Sequence, residues 1–252
     1  MAKITVEEFR NFFKYYNAES HQTKAVDLLY DELECNCSEQ LENDSEWIIT
    51  YRNQLKTKPK PTGKWPLTKS QLAEIMACSP ETLPDTLMDD LLHCVELYGI
   101  STLSLAYFLG QCGHESAGLR YPVEIHDGSN YEYRDDLGNI YPGDGVMFAG
   151  TGWLQCTGRY NHQRFSDFLQ KVGQYDPKIM EVGKTYTSEK YPWSISGFWW
   201  YDNGLIQMCA KHPGVDEVGA RVNGRMLPNG FEERRYYSRK AFDVLNISYP
   251  GN

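Results

Sequence analysis

The stretch Gln111-Cys-Gly-His-Glu-Ser-Ala-Gly118 sets a histidine and a glutamate at the end of an apolar run. The spacing of Leu103, Leu105, Ala106, Phe108, Leu109 and Cys112 predicts a buried helix over 102–114, with Gly118 as its terminating glycine. Glu115 would then sit at the negative end of the helix dipole after apolar turns. Both effects favour the neutral acid over the carboxylate. An acid that keeps its proton near neutral pH can protonate a leaving oxygen, as glycoside cleavage requires. The plainer reading of this stretch alone is a glutamate solvated at a helix end. A zinc-peptidase reading fails, because His-Glu-x-x-His needs a histidine where Gly118 stands.

The following segment is acidic, with Glu124, Asp127, Glu132, Asp135 and Asp136. Glu132 lies between Tyr131 and Tyr133 and two residues before Arg134, whose guanidinium would keep a carboxylate ionised. Two carboxyls in opposed environments are the parts for acid/base glycoside cleavage. An exposed charged loop is the commoner meaning of such a run. Next comes Pro142-Gly-Asp-Gly-Val-Met-Phe-Ala-Gly-Thr-Gly-Trp-Leu-Gln-Cys-Thr-Gly-Arg-Tyr-Asn161. Its glycines lack Walker spacing and no Lys-Ser/Thr follows Gly152; the frame of a dinucleotide fingerprint is missing too. It offers Gln155, Thr157 and Asn161 as polar side chains. Cys112 or Cys156 with a histidine would support a thiol amidase or peptidase instead.

These residues need elements to position them. Helical patterns run from Thr68, over 85–98 with a stop at Gly99, over 160–172, over 193–205 and over 230–245. Between Gly118 and Gly152 the chain is rich in Gly, Pro, Asp, Asn and Tyr, with short strand-like pieces such as 145–148. A long irregular segment inside a domain is usually functional. The class is mainly α, with at most a small hairpin. Residues 1–55 read as three short helices, a minimal bundle, and the Pro- and Lys-rich stretch 56–66 as an extended linker. Residues 67–252 form the larger domain.

The chain has 252 residues, 41% hydrophobic and 23% charged, which excludes a disordered chain, a fibrous repeat and a membrane bundle. Net charge is −9 without a basic run, so nucleic acid is a poor partner. No apolar stretch of 18 residues exists to span or insert into a membrane. Residues 1–13 carry no signal-peptide core, so synthesis in a cytoplasm without export is expected. Seven cysteines at irregular spacing read as free thiols, and neither a metal nor a cofactor is expected. Eighteen tyrosines and six tryptophans suit sugar binding or a tyrosine-rich core and rim.

Three blocks together resemble glycoside hydrolase family 19, which holds plant-type chitinases and phage or bacterial endolysins. They are His114-Glu-Ser-x-Gly118, Tyr131-Glu-x-Arg-x-Asp-Leu-Gly-Asn139, and Gly143-Asp-Gly through Gln155-x-Thr-Gly-Arg-x-Asn161. Ser196–Gly204, Val222-Asn-Gly224 and Glu233-Arg234 follow in family order. The Thr-Gly-Arg-x-Asn ending is more similar to the endolysin branch. The resemblance implies a lysozyme-like, two-lobed, mainly α catalytic domain over 67–252 and inverting cleavage of a β-1,4-linked polymer containing N-acetylglucosamine. It implies Glu115 as general acid and Thr157 as holder of the attacking water. His114, Gln155, Asn161, Asn223 and Arg234 fall at substrate-binding positions. Glu132 is taken as the second carboxylate, with Glu124 the alternative and otherwise a sugar contact. Thr151 and Arg225 depart from the family's Arg and Gly and bear on subsite contacts.

The expected protein is therefore a monomeric endolysin acting on peptidoglycan, made in the host cytoplasm and reaching the wall after release or on a virion. A chitinase, or an inactive carbohydrate-binding or virion protein on the same fold, is the alternative. For the N-terminal bundle, wall binding competes with a docking or purely structural role.

Overall fold

The computed structural model describes residues 67–226 and 229–251. The expected N-terminal bundle and linker lie outside the described residues. Within them the chain is mainly helical, with no β-strand and only two isolated antiparallel bridges, Val123 to Thr151 and Thr151 to Cys156. Most of the described chain, up to Phe168 and from Asp176 onward, forms one compact unit.

Helix α1 spans Lys69–Met76, opened by a capping box between Thr68 and Gln71. Helix α2 spans Asp85–Tyr98 and ends on Gly99; α3 spans Thr102–Glu115, capped by the Ser101 hydroxyl. Pro84, Gly99 and Ser101 are punctuation legible in the sequence, and these bounds match the expected ones closely. A four-residue helix α4, Asp144–Met147, stands where strand-like residues were expected. Then follow α5 (Arg159–Lys171), α6 (Lys178–Val182), α7 (Lys184–Lys190), α8 (Pro192–Asp202), α9 (Leu205–Cys209), α10 (Val215–Asn223) and α11 (Phe231–Val244).

Two helix crossings frame the site. The first sets α3 against α11. A Cβ on Gly110 would come within 2.2 Å of Ser238 Oγ, and one on Gly113 within 2.5 Å of the Tyr237 ring. Glycines one turn apart thus let the helices meet almost backbone to side chain. The second sets α2 against α8. Buried Asp90 reaches across to accept from the backbone N–H of Trp193 at 2.7 Å and of Ser194 at 3.2 Å. It caps a helix whose own sequence supplies no capping side chain.

Between the crossings lies an aromatic core. Phe108 meets Trp193 and Trp200 with ring centroids 5.9 and 5.3 Å apart, and Trp153 meets Trp193 at 5.6 Å. Trp200 donates its indole N–H to Ser104 Oγ at 3.1 Å. These tryptophans serve packing, whereas several tyrosines stay at the surface.

Candidate active site

Glu115 is the last residue of α3, as the sequence indicated. Its surroundings are not the purely apolar ones expected: its carboxylate accepts from Arg234 Nη2 of α11. Arg234 is only 1% exposed. It also donates through Nη1 to Gln111 Oε1 at 2.5 Å and through Nε to the Asn229 carbonyl at 2.9 Å. Gln111 lies one turn before Glu115, so one guanidinium bridges successive turns of α3. The neighbouring pair is matched as well, His114 Nδ1 meeting Glu233 Oε2 at 2.9 Å. Burial, together with the Arg234 charge, moves the His114 imidazole below its ordinary range, against the pull of Glu115 and Glu233. Gly230, at the start of α11 with φ of 72°, lies against that imidazole; a Cβ there would come within 2.0 Å of Cε1.

After Glu115 the chain turns sharply. Ala117, Gly118 and Leu119 all take left-handed φ, of 51°, 72° and 64°. Two non-glycine residues in that region cost roughly 1–2 kcal/mol each. Ser116 holds the turn, its hydroxyl donating to the Cys112 carbonyl and accepting from Leu119 N–H at 2.9 Å. The chain then runs back along the segment carrying Gln155. Glu124 N–H donates to the Gly150 carbonyl at 2.9 Å and Gly152 N–H to the Pro122 carbonyl at 2.8 Å.

This pairing assembles a second polar group. The Glu124 carboxylate accepts from the Tyr131 hydroxyl at 2.8 Å and from Gly150 N–H at 3.2 Å. A Cβ on Gly150 would lie 2.8 Å from Gln155 Oε1 and 3.1 Å from Glu124 Oε2, so both side chains press on one glycine. Gln155 has φ of 52° and donates to the Tyr121 and Gly152 carbonyls, each at 3.1 Å. The Thr157 hydroxyl donates to the Gln155 carbonyl at 2.9 Å, and Asn161 Nδ2 to the Thr157 carbonyl at 2.8 Å. Four of the expected site residues thus form one contact chain; Glu115 and Arg234 form a second group beside the His114–Glu233 pair.

No family model matches the sequence. The structure is similar to chitinase C from Streptomyces griseus HUT6037, with a TM-score of 0.56 and 16% identity over 76% of this chain and 98% of that one. It is also similar to a class IV family GH19 chitinase from Zea mays, with a TM-score of 0.55 and 15% identity over 75% and 96% of the two chains. A bacterial family 19 chitinase gives 0.53 and 18% over 75% and 98%. The fold is that of the family 19 chitinases.

On this family 19 fold many of the motif residues are architecture. Glu132 accepts from Gly143 N–H at 2.6 Å and Gly145 N–H at 2.8 Å, so both its oxygens hold the start of α4. That bond pair explains why 144–147 is helical. Asp144 is buried and binds Arg159 bidentately at 2.8 and 2.6 Å. Burial alone would raise the Asp144 carboxyl, but the Arg159 hydrogen bonds and the amides of Tyr141 and Ile140 leave it below its ordinary range. Asn139 ties the two ends of the loop, donating to the Tyr131 carbonyl and accepting from Arg159 N–H.

Thr151 is buried, its hydroxyl directed to the Lys184 carbonyl and Thr187, so its departure from the family's arginine concerns packing. Asn223 ends α10 and accepts from Asn229 N–H at 3.2 Å, bracing the turn that Arg234 also holds. Cys112 and Cys156 are buried, and burial pushes both thiols up, Cys156 to about 12, which opposes a thiolate nucleophile. The Arg234–Glu115 tie escaped the sequence reading because 119 residues separate the partners.

Proposed function

We propose that this chain is an inverting glycosidase that cuts β-1,4 bonds in glycans containing N-acetylglucosamine, with the peptidoglycan strand as substrate. The observation that carries the reading is Glu115 at the end of α3, fixed by a buried arginine on the fold of the family 19 chitinases. Glu115 donates its proton to the glycosidic oxygen, and Arg234 stabilises the carboxylate left behind. An inverting mechanism also needs a second carboxylate roughly 6.5–9.5 Å from the first, with one water between.

We assign the second role to Glu124, in preference to Glu132. Both Glu132 oxygens bind backbone amides of α4, whereas Glu124 shares its place with Gln155 and leads to Thr157. The Thr157 hydroxyl spends its proton on a carbonyl, leaving its lone pairs to accept from the water that Glu124 deprotonates. Gln155 and Asn161 orient the sugar. Residues 1–55 act as a wall-binding module on the linker 56–66, and the protein works as a monomer on the wall after release or from a virion.

The second reading is a chitinase, favoured by the chitinases that share the fold. Mass analysis of products separates the two. The peptidoglycan reading expects saccharide fragments from purified wall. Release of oligosaccharides from chitin with none from wall supports the chitinase, and release of free peptide contradicts both.

A further inference from the structure

The dipeptide Asn-Gly occurs three times in the chain, at 203–204, 223–224 and 229–230. Asparagine is thermolabile, and most so before glycine, because a residue without Cβ leaves its amide nitrogen open to attack the preceding side chain. The fold shields two of the three pairs. Asn203 Nδ2 donates to the Trp199 carbonyl at 2.9 Å, and Gly204 N–H to the Tyr201 carbonyl at 3.1 Å. Asn223 Oδ1 accepts from Asn229 N–H at 3.2 Å, and Gly224 N–H donates to the Ala220 carbonyl at 2.9 Å. In each, both the carboxamide and the amide that would attack it are engaged, at the end of a helix.

The third pair is different. Asn229 and Gly230 are exposed, and among the described residues no hydrogen bond engages the Asn229 side chain or the Gly230 N–H. Glycine is also fixed at 230. Its φ is 72° and a Cβ would come within 2.0 Å of His114 Cε1, so no side chain can shield that amide. The seat of His114 thus enforces the labile pair. The Asn229 carbonyl meanwhile accepts from Arg234 Nε at 2.9 Å, and Arg234 holds Glu115. A covalent change at 229 therefore falls on the arginine that fixes the proposed acid.

We infer that Asn229–Gly230 is a self-modification site whose conversion adds a carboxylate beside Arg234 and weakens the tie to Glu115. The Gly230 nitrogen, its proton lost to solvent base, bonds to Asn229 Cγ; the Cγ–Nδ2 bond breaks and that nitrogen leaves as ammonia. Water then opens the cyclic imide. Opening at Cγ yields aspartate. Opening at the main-chain carbonyl yields isoaspartate, whose chain runs through Cβ and Cγ and whose former main-chain carbonyl is a carboxylate. Water is the only co-reactant. Both products place a negative charge next to the Arg234 Nε contact, where it competes with Glu115 for the guanidinium. The loss of turnover that follows rests on the glycosidase reading; the modification does not.

The test ages full-length protein in mildly alkaline buffer and follows its peptides by mass spectrometry, with isoaspartate read by enzymatic methylation. Conversion at Asn229 should run roughly tenfold or more ahead of Asn203 and Asn223, whose hydrogen bonds must open first. Turnover should fall severalfold in step with Asn229 conversion. Asn229→Gln, whose larger ring closes far more slowly, should hold its own starting rate over the same time. The Arg234 Nε–H resonance in NMR should shift in step with conversion, even in a chain that cuts no glycan. An intact Asn229, or conversion at Asn203 or Asn223 as fast as at Asn229, overturns the inference. So does an unmoved Arg234 resonance at full conversion, or, in an active parent, unchanged turnover. A parent that cuts neither wall nor chitin oligosaccharide while the resonance shifts would sink the glycosidase reading and leave the modification standing.

Discussion

The two halves of the candidate site are held by different physics. Glu115 is fixed by a crossing of long helices, where Gly110 and Gly113 admit the Ser238 and Tyr237 of α11. The Glu124 half rides on an irregular segment held by side chains that bind backbone: Glu132 on Gly143 and Gly145, Asn139 on Tyr131 and Arg159, Asp144 on Ile140 and Tyr141. Helix packing positions the backbone of Glu115, whose carboxylate Arg234 then holds; side-chain bonds to backbone groups shape the segment that brings Tyr131 to Glu124. Faults in the first half should therefore appear as overpacking, and faults in the second as lost hydrogen bonds.

The largest expected effect is chemical. Glu115→Gln should lower turnover by roughly 10²–10⁴-fold with an unchanged melting temperature. Steady-state rates on wall or oligosaccharide check this, and a variant as active as the parent removes Glu115 from the mechanism. In the helix crossing, Gly113→Ala should destabilise by roughly 1–3 kcal/mol, because the added methyl meets the Tyr237 ring. Denaturant melts give that value. In the loop, Asp144→Asn keeps much of the shape but loses the ion pair with Arg159 and should cost roughly 1–3 kcal/mol. Melts of Asp144→Asn that match the parent would remove the Arg159–Asp144 pair from what holds the loop.

The smallest effect concerns pH. His162 is buried against Phe148, and burial pushes its imidazole down to about 4, with the nearby Arg159 charge adding to the shift. The folded chain thus holds this histidine neutral while the unfolded chain protonates it near 6.5. Its contribution to stability is complete above about 6.5 and is lost as pH falls toward 4. His162→Gln should flatten that part of the stability–pH curve; an identical slope in parent and variant would exclude His162 as its source.

The legible parts of this molecule are those with local causes. Pro84, Gly99 and Ser101 bound α2 and α3 through turn and cap chemistry, and Glu115 fell at a helix end as the apolar spacing required. What escaped has non-local causes. The short helices α6, α7 and α10 bury only a few residues each and carry too few turns for a period to show. Helix α4 owes its form to Glu132, 11 residues before Gly143. The tie between Glu115 and Arg234 joins residues 119 apart in the chain. Its one local trace is the pair of glycines on α3, which marks a close approach without naming the partner.

The central claim is that Glu115 works with Glu124, while Glu132 builds the loop. Side-by-side turnover of Glu124→Gln and Glu132→Gln, on whichever of purified wall or N-acetylglucosamine hexamer the parent cleaves, tests it most directly. Measured well below both melting temperatures, Glu124→Gln should lose roughly 10²–10⁴-fold in kcat while Glu132→Gln stays within a fewfold of the parent and melts earlier. Near-parental turnover by Glu124→Gln with loss of activity in a folded Glu132→Gln would contradict the account.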